Sequence, residues 1–197
     1  MQPNLPIVVL LIVFALIALR RIGRFRVAIW QAMVGGAVVV LLSGDIAPRA
    51  ALAAIDWDVM LFLFGMFVVG QAAVASGYLY QLAYGLFSRA RSTDALVLML
   101  LFGAGLSSAL LMNDTLAIVG TPLALRLARE HGIDARVLLL ALAFAVTTGS
   151  VLSPIGNPQN LLIALQSGLP NPFLSFLDHL AVPTLLNLLL AYAALRL

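Results

Sequence analysis

The chain has 197 residues, 63% hydrophobic and only 10% charged, with a mean hydropathy of +1.10. A soluble domain carries about 25% charged residues, so a water-solvated globule is excluded, and the wealth of Leu, Ile, Val and Phe excludes disorder. At roughly 20 residues per helical crossing plus connections, the length allows about five or six membrane spans.

All eleven basic residues are Arg, and the formal net charge is only +3. No basic stripe with interleaved aromatics exists, so no nucleic-acid partner is expected. Cys is absent, which removes disulfides and thiolate metal sites, and two His are too few for a His-based metal centre. No cofactor is expected beyond a coupling sodium ion or proton. Arg20 and Arg21 follow the first apolar run, which reads as a reverse anchor with its N-terminus outside rather than a cleaved signal peptide.

Apolar runs predict spans over 5–19, 27–42 and 59–76. Arg20, Arg21, Arg24 and Arg26 crowd the first turn, which the positive-inside rule assigns to the cytoplasm. The loop over 43–58 then lies outside, with Asp45, Asp56 and Asp58 and an interfacial Trp57. Residues 77–91 mix Tyr78, Tyr80, Tyr84 and Phe87 with Arg89 and Arg91, the pattern of an amphipathic helix in the inner interface.

Residues 94–125 are apolar or small except at Asn113-Asp114-Thr115. As one helix they would run roughly 48 Å, against a hydrocarbon core of about 30 Å. Folding at Asn113–Thr115 gives two arms of about 15 residues, roughly 22 Å each and too short to cross. A re-entrant hairpin over 94–129 follows, with Arg89, Arg91, Arg126, Arg129 and Arg136 all on the cytoplasmic side.

Gly132 suits the C′ position that ends the hairpin, and Asp134 the N-cap of the next helix. That helix, 135–165, is broken at 153–160 (SPIGNPQN). Pro154 and Pro158 each lack an N–H, Gly149 and Gly156 permit unwinding, and Asn157-Pro158 reads as an N-cap and N1 pair. A short interfacial helix over 173–179 and a last span over 180–195 complete the chain, with Arg196 inside.

The expected fold is an all-α polytopic membrane protein, one transmembrane domain over 1–197. It comprises five transmembrane helices, a re-entrant hairpin and one broken helix, in the plasma membrane (prokaryotic inner membrane), with the N-terminus outside and the C-terminus cytoplasmic. Ten of the eleven Arg then lie inside.

A carboxylate at bilayer depth costs about 2.5–3.5 kcal/mol even on lenient scales, so Asp114 requires a role. It either caps the second hairpin arm or serves a site. The hairpin tip and the SPIGNPQN break both stop near mid-membrane, each presenting a half-helix N-terminus of roughly +0.5 charge, suited to an anion. Unwound carbonyls nearby suit a cation, and two broken elements meeting at the midplane mark a secondary-transporter site. Gly35-Gly36 and Gly103-x-Gly105 are read as close helix packing, and Gln31, Gln71 and Asn187 as interhelical hydrogen bonders.

The segments SSALLMNDTLAIVGTPLAL (107–125) and TTGSVLSPIGNPQNLLIA (147–164) resemble the two signature segments of the ion transporter superfamily, and IDWDVMLFLFGMFVV (55–69) its early span. That superfamily holds the arsenical pump proteins, NhaD-type sodium/proton antiporters, citrate transporters and divalent anion/sodium symporters. The resemblance covers about residues 27–195. It implies two inverted repeats, each with a re-entrant hairpin and a broken helix, with substrate between the hairpin tips; no enzymatic activity is expected, since the sequence has no HExxH, GxSxG or GxGD motif.

By position it carries Asn113, Asp114 and Thr115 onto the tip motif, and Gly149, Ser150, Ser153, Gly156, Asn157 and Asn160 onto the broken-helix motif. Asn113, Asp114, Ser150 and Asn157 are its candidate sodium ligands. Dicarboxylate symporters usually show Ser-Asn-Thr at the tip, and an ionised Asp114 would repel a divalent anion while suiting sodium or a proton.

The expected function is ion-coupled transport of a small inorganic or carboxylate anion. The alternatives are a sodium/proton antiporter and a non-transporting half-transporter subunit or scaffold. Because one repeat has an odd number of crossings, a following copy would be inverted, and the chain stops where that copy is expected to begin. A second-repeat half, from the same gene or a separate chain, is therefore the expected partner beside lipid and substrate. A dual-topology homodimer fits poorly with ten Arg inside against one outside.

Overall fold

The computed structural model describes residues 5–19, 21–22 and 25–196. Arg20 and Arg24 of the Arg-rich turn, and the N-terminal residues on which the outside assignment rests, lie outside the described residues. Two compact units divide the chain, residues 1–57 and 58–197.

In the first unit, α1 (Leu5–Leu19) and α2 (Ile29–Leu42) are joined through a two-stranded antiparallel hairpin, Arg21–Ile22 with Phe25–Arg26. Gly36 lets the helices close, because a Cβ there would lie 3.3 Å from a Val9 methyl. Gly35 faces open space, so only one glycine of the pair serves packing. The Gln31 side chain accepts from its own helix's entry, Ala28 N–H, at 3.0 Å, rather than bonding across helices. A short helix, α3 (Pro48–Ala53), starts with Pro at N1 within the segment expected to be loop.

With 15 and 14 residues, α1 and α2 are about 22 and 21 Å long, shorter than a hydrocarbon core of about 30 Å. Four other helical segments are long and apolar enough to cross: Trp57–Ala75, Thr93–Leu110, Ala135–Leu152 and Pro172–Arg196. The protein is an all-helical polytopic membrane protein apart from that small hairpin.

The second unit runs α4 (Trp57–Ala75), α5 (Tyr78–Phe87), α6 (Thr93–Leu110), α7 (Asn113–His131), α8 (Ala135–Gly149), a 3-10 turn (Ser150–Leu152), α9 (Pro158–Gln166) and α10 (Pro172–Arg196). Several ends follow the chemistry of the sequence. Ser92 caps α6 by accepting from Ala95 N–H at 3.1 Å, and Asp134 caps α8 by accepting from Arg136 N–H at 2.9 Å. Gly132 ends α7 with φ +65°, the left-handed geometry that glycine takes freely.

Leu96, Leu100 and Leu101 of α6 pack with Leu123, Ala124 and Leu127 of α7 and Leu138, Ala141, Leu142 and Ala145 of α8. Leu188 of α10 closes this core. Apolar residues elsewhere, notably along α4, remain exposed, as a lipid-facing surface requires.

Three features depart from expectation. The hairpin turns at Leu111–Met112, ahead of Asn113, and its arms have 18 and 19 residues rather than about 15. The first arm is therefore about 27 Å long. The second departure is α10, which runs unbroken from Pro172 through Pro183 to Arg196, 25 residues in all, so the interfacial helix and last span are one element. Asn187 donates to the Pro183 carbonyl of its own helix at 2.9 Å, not across helices. Finally, α9 restarts at Pro158, which confines the break to residues 153–157.

Candidate functional site

The break in the α8–α9 segment is built by four polar side chains. Asn157 caps α9, its Oδ1 accepting from Asn160 N–H at 2.9 Å. Its Nδ2 donates to Ser150 Oγ at 3.1 Å, and that hydroxyl donates to the Thr147 carbonyl at 3.0 Å. Asn160 turns its amide back into the break, donating to the carbonyls of Ser150 at 3.1 Å, Ser153 at 3.0 Å and Val151 at 3.4 Å. Ser153 Oγ accepts from Ile155 N–H at 3.1 Å. Ser150, Ser153, Asn157 and Asn160 are all buried. An unwound stretch loses its helical acceptors and donors, and here side chains replace them.

Gly149 and Gly156 serve close approach rather than free rotation. Gly149 stays helical with φ −67°. A Cβ on it would strike the Gly105 carbonyl of α6, and one on Gly156 would strike the Ser150 carbonyl. Two further groups complete this seam, Ser108, which was not singled out from the sequence, and Gly105, which was. Buried Ser108 donates to the Val146 carbonyl at 2.8 Å, and Gly105 sits 3.4 Å (from its would-be Cβ) from the Ala145 carbonyl. The Gly103-x-Gly105 spacing was the available signal, and it held for packing.

The hairpin tip meets the break directly. The Asn113 backbone N–H donates to the Gly156 carbonyl at 3.1 Å, so the N-termini of α7 and α9 are brought together. Asn113 Oδ1 accepts from the Asp114 N–H at 2.9 Å. Thr115 is buried, with its Oγ1 2.5 Å from where a Cβ would stand on Gly70 of α4. Asp114 is exposed in the first turn of α7. Its carboxylate makes no hydrogen bond or ion pair among the described residues, so it does not act as the helix cap.

Of the four candidate sodium ligands, the structure therefore joins Ser150 to Asn157 and sets Asn113 beside Gly156. No side-chain hydrogen bond links the two pairs among the described residues. Chemically, the arrangement offers two converging helix N-termini, a free carboxylate, and a break whose carbonyls are already held by Asn160.

At the opposite end of the hairpin lies a second polar cluster. Arg126 Nε pairs with Glu130 at 2.8 Å and its guanidinium stacks 4.0 Å over the Tyr84 ring, while the Tyr84 hydroxyl lies 3.1 Å from both Glu130 oxygens. The hydrogen bond from Arg126 holds the Glu130 carboxyl below its ordinary range. Arg196 at the end of α10 pairs with Asp94 at the start of α6 at 3.0 Å.

Comparison with known proteins places these features in a family. Residues 6–197 match the family described as Citrate transporter. Over 145 residues, 73% of this chain and 39% of the relative, the sequence is 36% identical to inner membrane protein YbiR of Escherichia coli. It is 38% identical over 142 residues to the silicon efflux transporter LSI3 of Oryza sativa subsp. japonica, covering 72% of this chain and 29% of that one. A putative transporter arsB of Dictyostelium discoideum is 26% identical over 134 residues, 68% and 24% of the respective chains. The chain thus spans between about a quarter and two fifths of these relatives. No solved structure matches.

Proposed function

The chain belongs to the citrate transporter family, and from that premise we propose that it forms one part of an ion-coupled secondary transporter for a small inorganic or carboxylate anion. The single observation that carries this reading is the Asn113 N–H to Gly156 carbonyl bond at 3.1 Å. It sets the positive ends of α7 and α9 side by side, the arrangement that draws an anion into a broken-helix site. Asn113, Asp114 and Thr115 supply the tip. Gly149, Ser150, Ser153, Gly156, Asn157 and Asn160 shape the break and hold it open. Sodium or a proton is the coupling ion, with Asn113, Asp114, Ser150 and Asn157 as its nearest candidate ligands.

The hairpin is re-entrant in this reading. Its tip is tied to a break that lies only about 22–30 Å along the path from Asp134, and α9 continues for about 13 Å beyond it. The tip therefore stops short of the far surface. The Asp94–Arg196 pair sets the root of the hairpin beside the end of α10, which accords with both lying on the cytoplasmic side. The inner membrane is the proposed location, supported by the name of the Escherichia coli relative. A second repeat, in the same or a separate chain, is the proposed partner that completes the site.

One observation favours a second reading, a sodium/proton antiporter: the exposed carboxylate of Asp114, without a partner among the described residues, suits a cation better than a divalent anion. The test is uptake by proteoliposomes containing the protein together with its second-repeat partner. Citrate, arsenite, silicic acid and sulfate would be offered under imposed sodium or proton gradients. Gradient-driven anion uptake whose ion dependence changes in Asp114→Asn is the expected result. Sodium/proton exchange without any anion selects the antiporter, and the absence of both overturns transport at this site.

A further inference from the structure

An apolar cavity of about 140 Å³ lies between α5 and the hairpin. Leu79, Leu82, Ala83 and Phe87 line it from α5, with Leu116 and Leu123 among the residues opposite. Ser107 also borders it, but its hydroxyl is already donated to the Gly103 carbonyl at 2.8 Å. A cavity of about this size with aliphatic walls stays dry and accepts an apolar guest the size of benzene.

Two arginines follow the α5 wall of the cavity closely in the chain. Arg89 and Arg91 lie two and four residues after Phe87, and the turn is folded tight by Ala90 N–H to the Phe87 carbonyl at 3.1 Å. Two residues of chain place the Arg89 Cα within about 7 Å of that of Phe87. On α7, Arg126 stands one turn beyond Leu123 but is already neutralised by Glu130 at 2.8 Å. Arg89, Arg91 and Arg129 have no carboxylate partner among the described residues and are exposed. A dry slot whose lining residue Phe87 is followed within four residues by two unneutralised guanidiniums, in a chain immersed in lipid, matches a molecule with a hydrocarbon tail and an anionic head.

We propose that α5 and the hairpin hold one anionic phospholipid, with part of an acyl chain in the cavity and its phosphate at Arg89 and Arg91. The site depends on the protein's being in a membrane and not on the transport reading, so either can fail alone.

The test is native mass spectrometry of the protein taken from vesicles of equal phosphatidylglycerol and phosphatidylcholine. Selective retention of phosphatidylglycerol is expected, and Arg89→Gln with Arg91→Gln should lower it by roughly tenfold. Ala83→Leu, or Leu79→Phe if the first does not yield monodisperse protein, fills the cavity and should lower retention with every charge intact. Equal retention of the two lipids overturns the proposal. So does loss with the arginine variant alone, which would be plain surface attraction, or with the cavity variant alone, which would be a neutral guest.

Discussion

The hydroxyl of Ser108 donates to the carbonyl of Val146 at 2.8 Å, both buried between α6 and α8. A side chain can reach the facing backbone this way only where two helices nearly touch, and Gly105 and Gly149 provide that contact. Gly149→Ala would drive its Cβ into the Gly105 carbonyl, which is backbone and cannot swing aside. Overpacking of this kind costs about 1–3 kcal/mol, readable as a lowered Tm in detergent. Gly85→Ala is the control: nothing lies within 4 Å of its added methyl, and helix propensity alone predicts no loss and a gain of up to about 1 kcal/mol.

Asn160 donates to three carbonyls of the unwound segment through one nitrogen. Asn160→Ala removes this donor from all three carbonyls, of which Ser153 still accepts from Gly156 N–H at 3.2 Å, a loss of about 1–3 kcal/mol. Asn160→Asp should cost at least as much, since it faces carbonyl dipoles with another acceptor. Thermal unfolding of both variants against wild type checks the order.

Gly70 and Thr115 form a testable pair. Gly70→Ala brings a methyl to 2.5 Å from Thr115 Oγ1 and 3.2 Å from its Cγ2, a clash inside a buried contact. Thr115→Ala removes both atoms. The double variant should recover much of the stability lost by Gly70→Ala, giving a coupling of about 0.5–3 kcal/mol in a double-mutant cycle.

The Arg126 hydrogen bond depresses the Glu130 carboxyl, so its contribution is fully present above the ordinary carboxylate pKa of about 4.3. It is lost as pH falls through the lower folded value. Because Glu130 also accepts from Tyr84 of α5, acidification should loosen α5 from α7. Amide protection in α5, taken relative to the intrinsic exchange rate at each pH, should fall in acid, and Glu130→Gln should show the lowered protection already at neutral pH with no further acid step. Exposure of the pair keeps the effect small.

Much of this architecture was legible because it is written in local chemistry. Asn157-Pro158 announced the start of α9, Asp134 and Gly132 announced the ends around them, and Pro154 marked the break. The turn at Leu111–Met112 carried no such mark, because two apolar residues make it and a tertiary bond from Asn113 to Gly156 fixes it. Gly149 and Gly156 were recognisable as special, yet their reason lies in a carbonyl brought close by folding, which no local pattern encodes. Asn160 likewise reads as one polar residue in a motif until the three carbonyls it serves are placed around it. The continuity of α10 was hidden because the polar Asp178-His179 pair stands where the expected last span begins, and the helix runs straight through it.

The bond between Asn113 and Gly156, with Ser108 on Val146 and Gly149 against Gly105, has a kinematic consequence. One of these three contacts joins tip to break and two join α6 to the end of α8, so hairpin and broken segment are tied at successive levels. A ligand lodged there cannot be released by parting the two elements without rupturing backbone contacts. Under the proposed transport reading, such a ligand would be carried on a single body, and its exposure to one side or the other would come from what slides past that body.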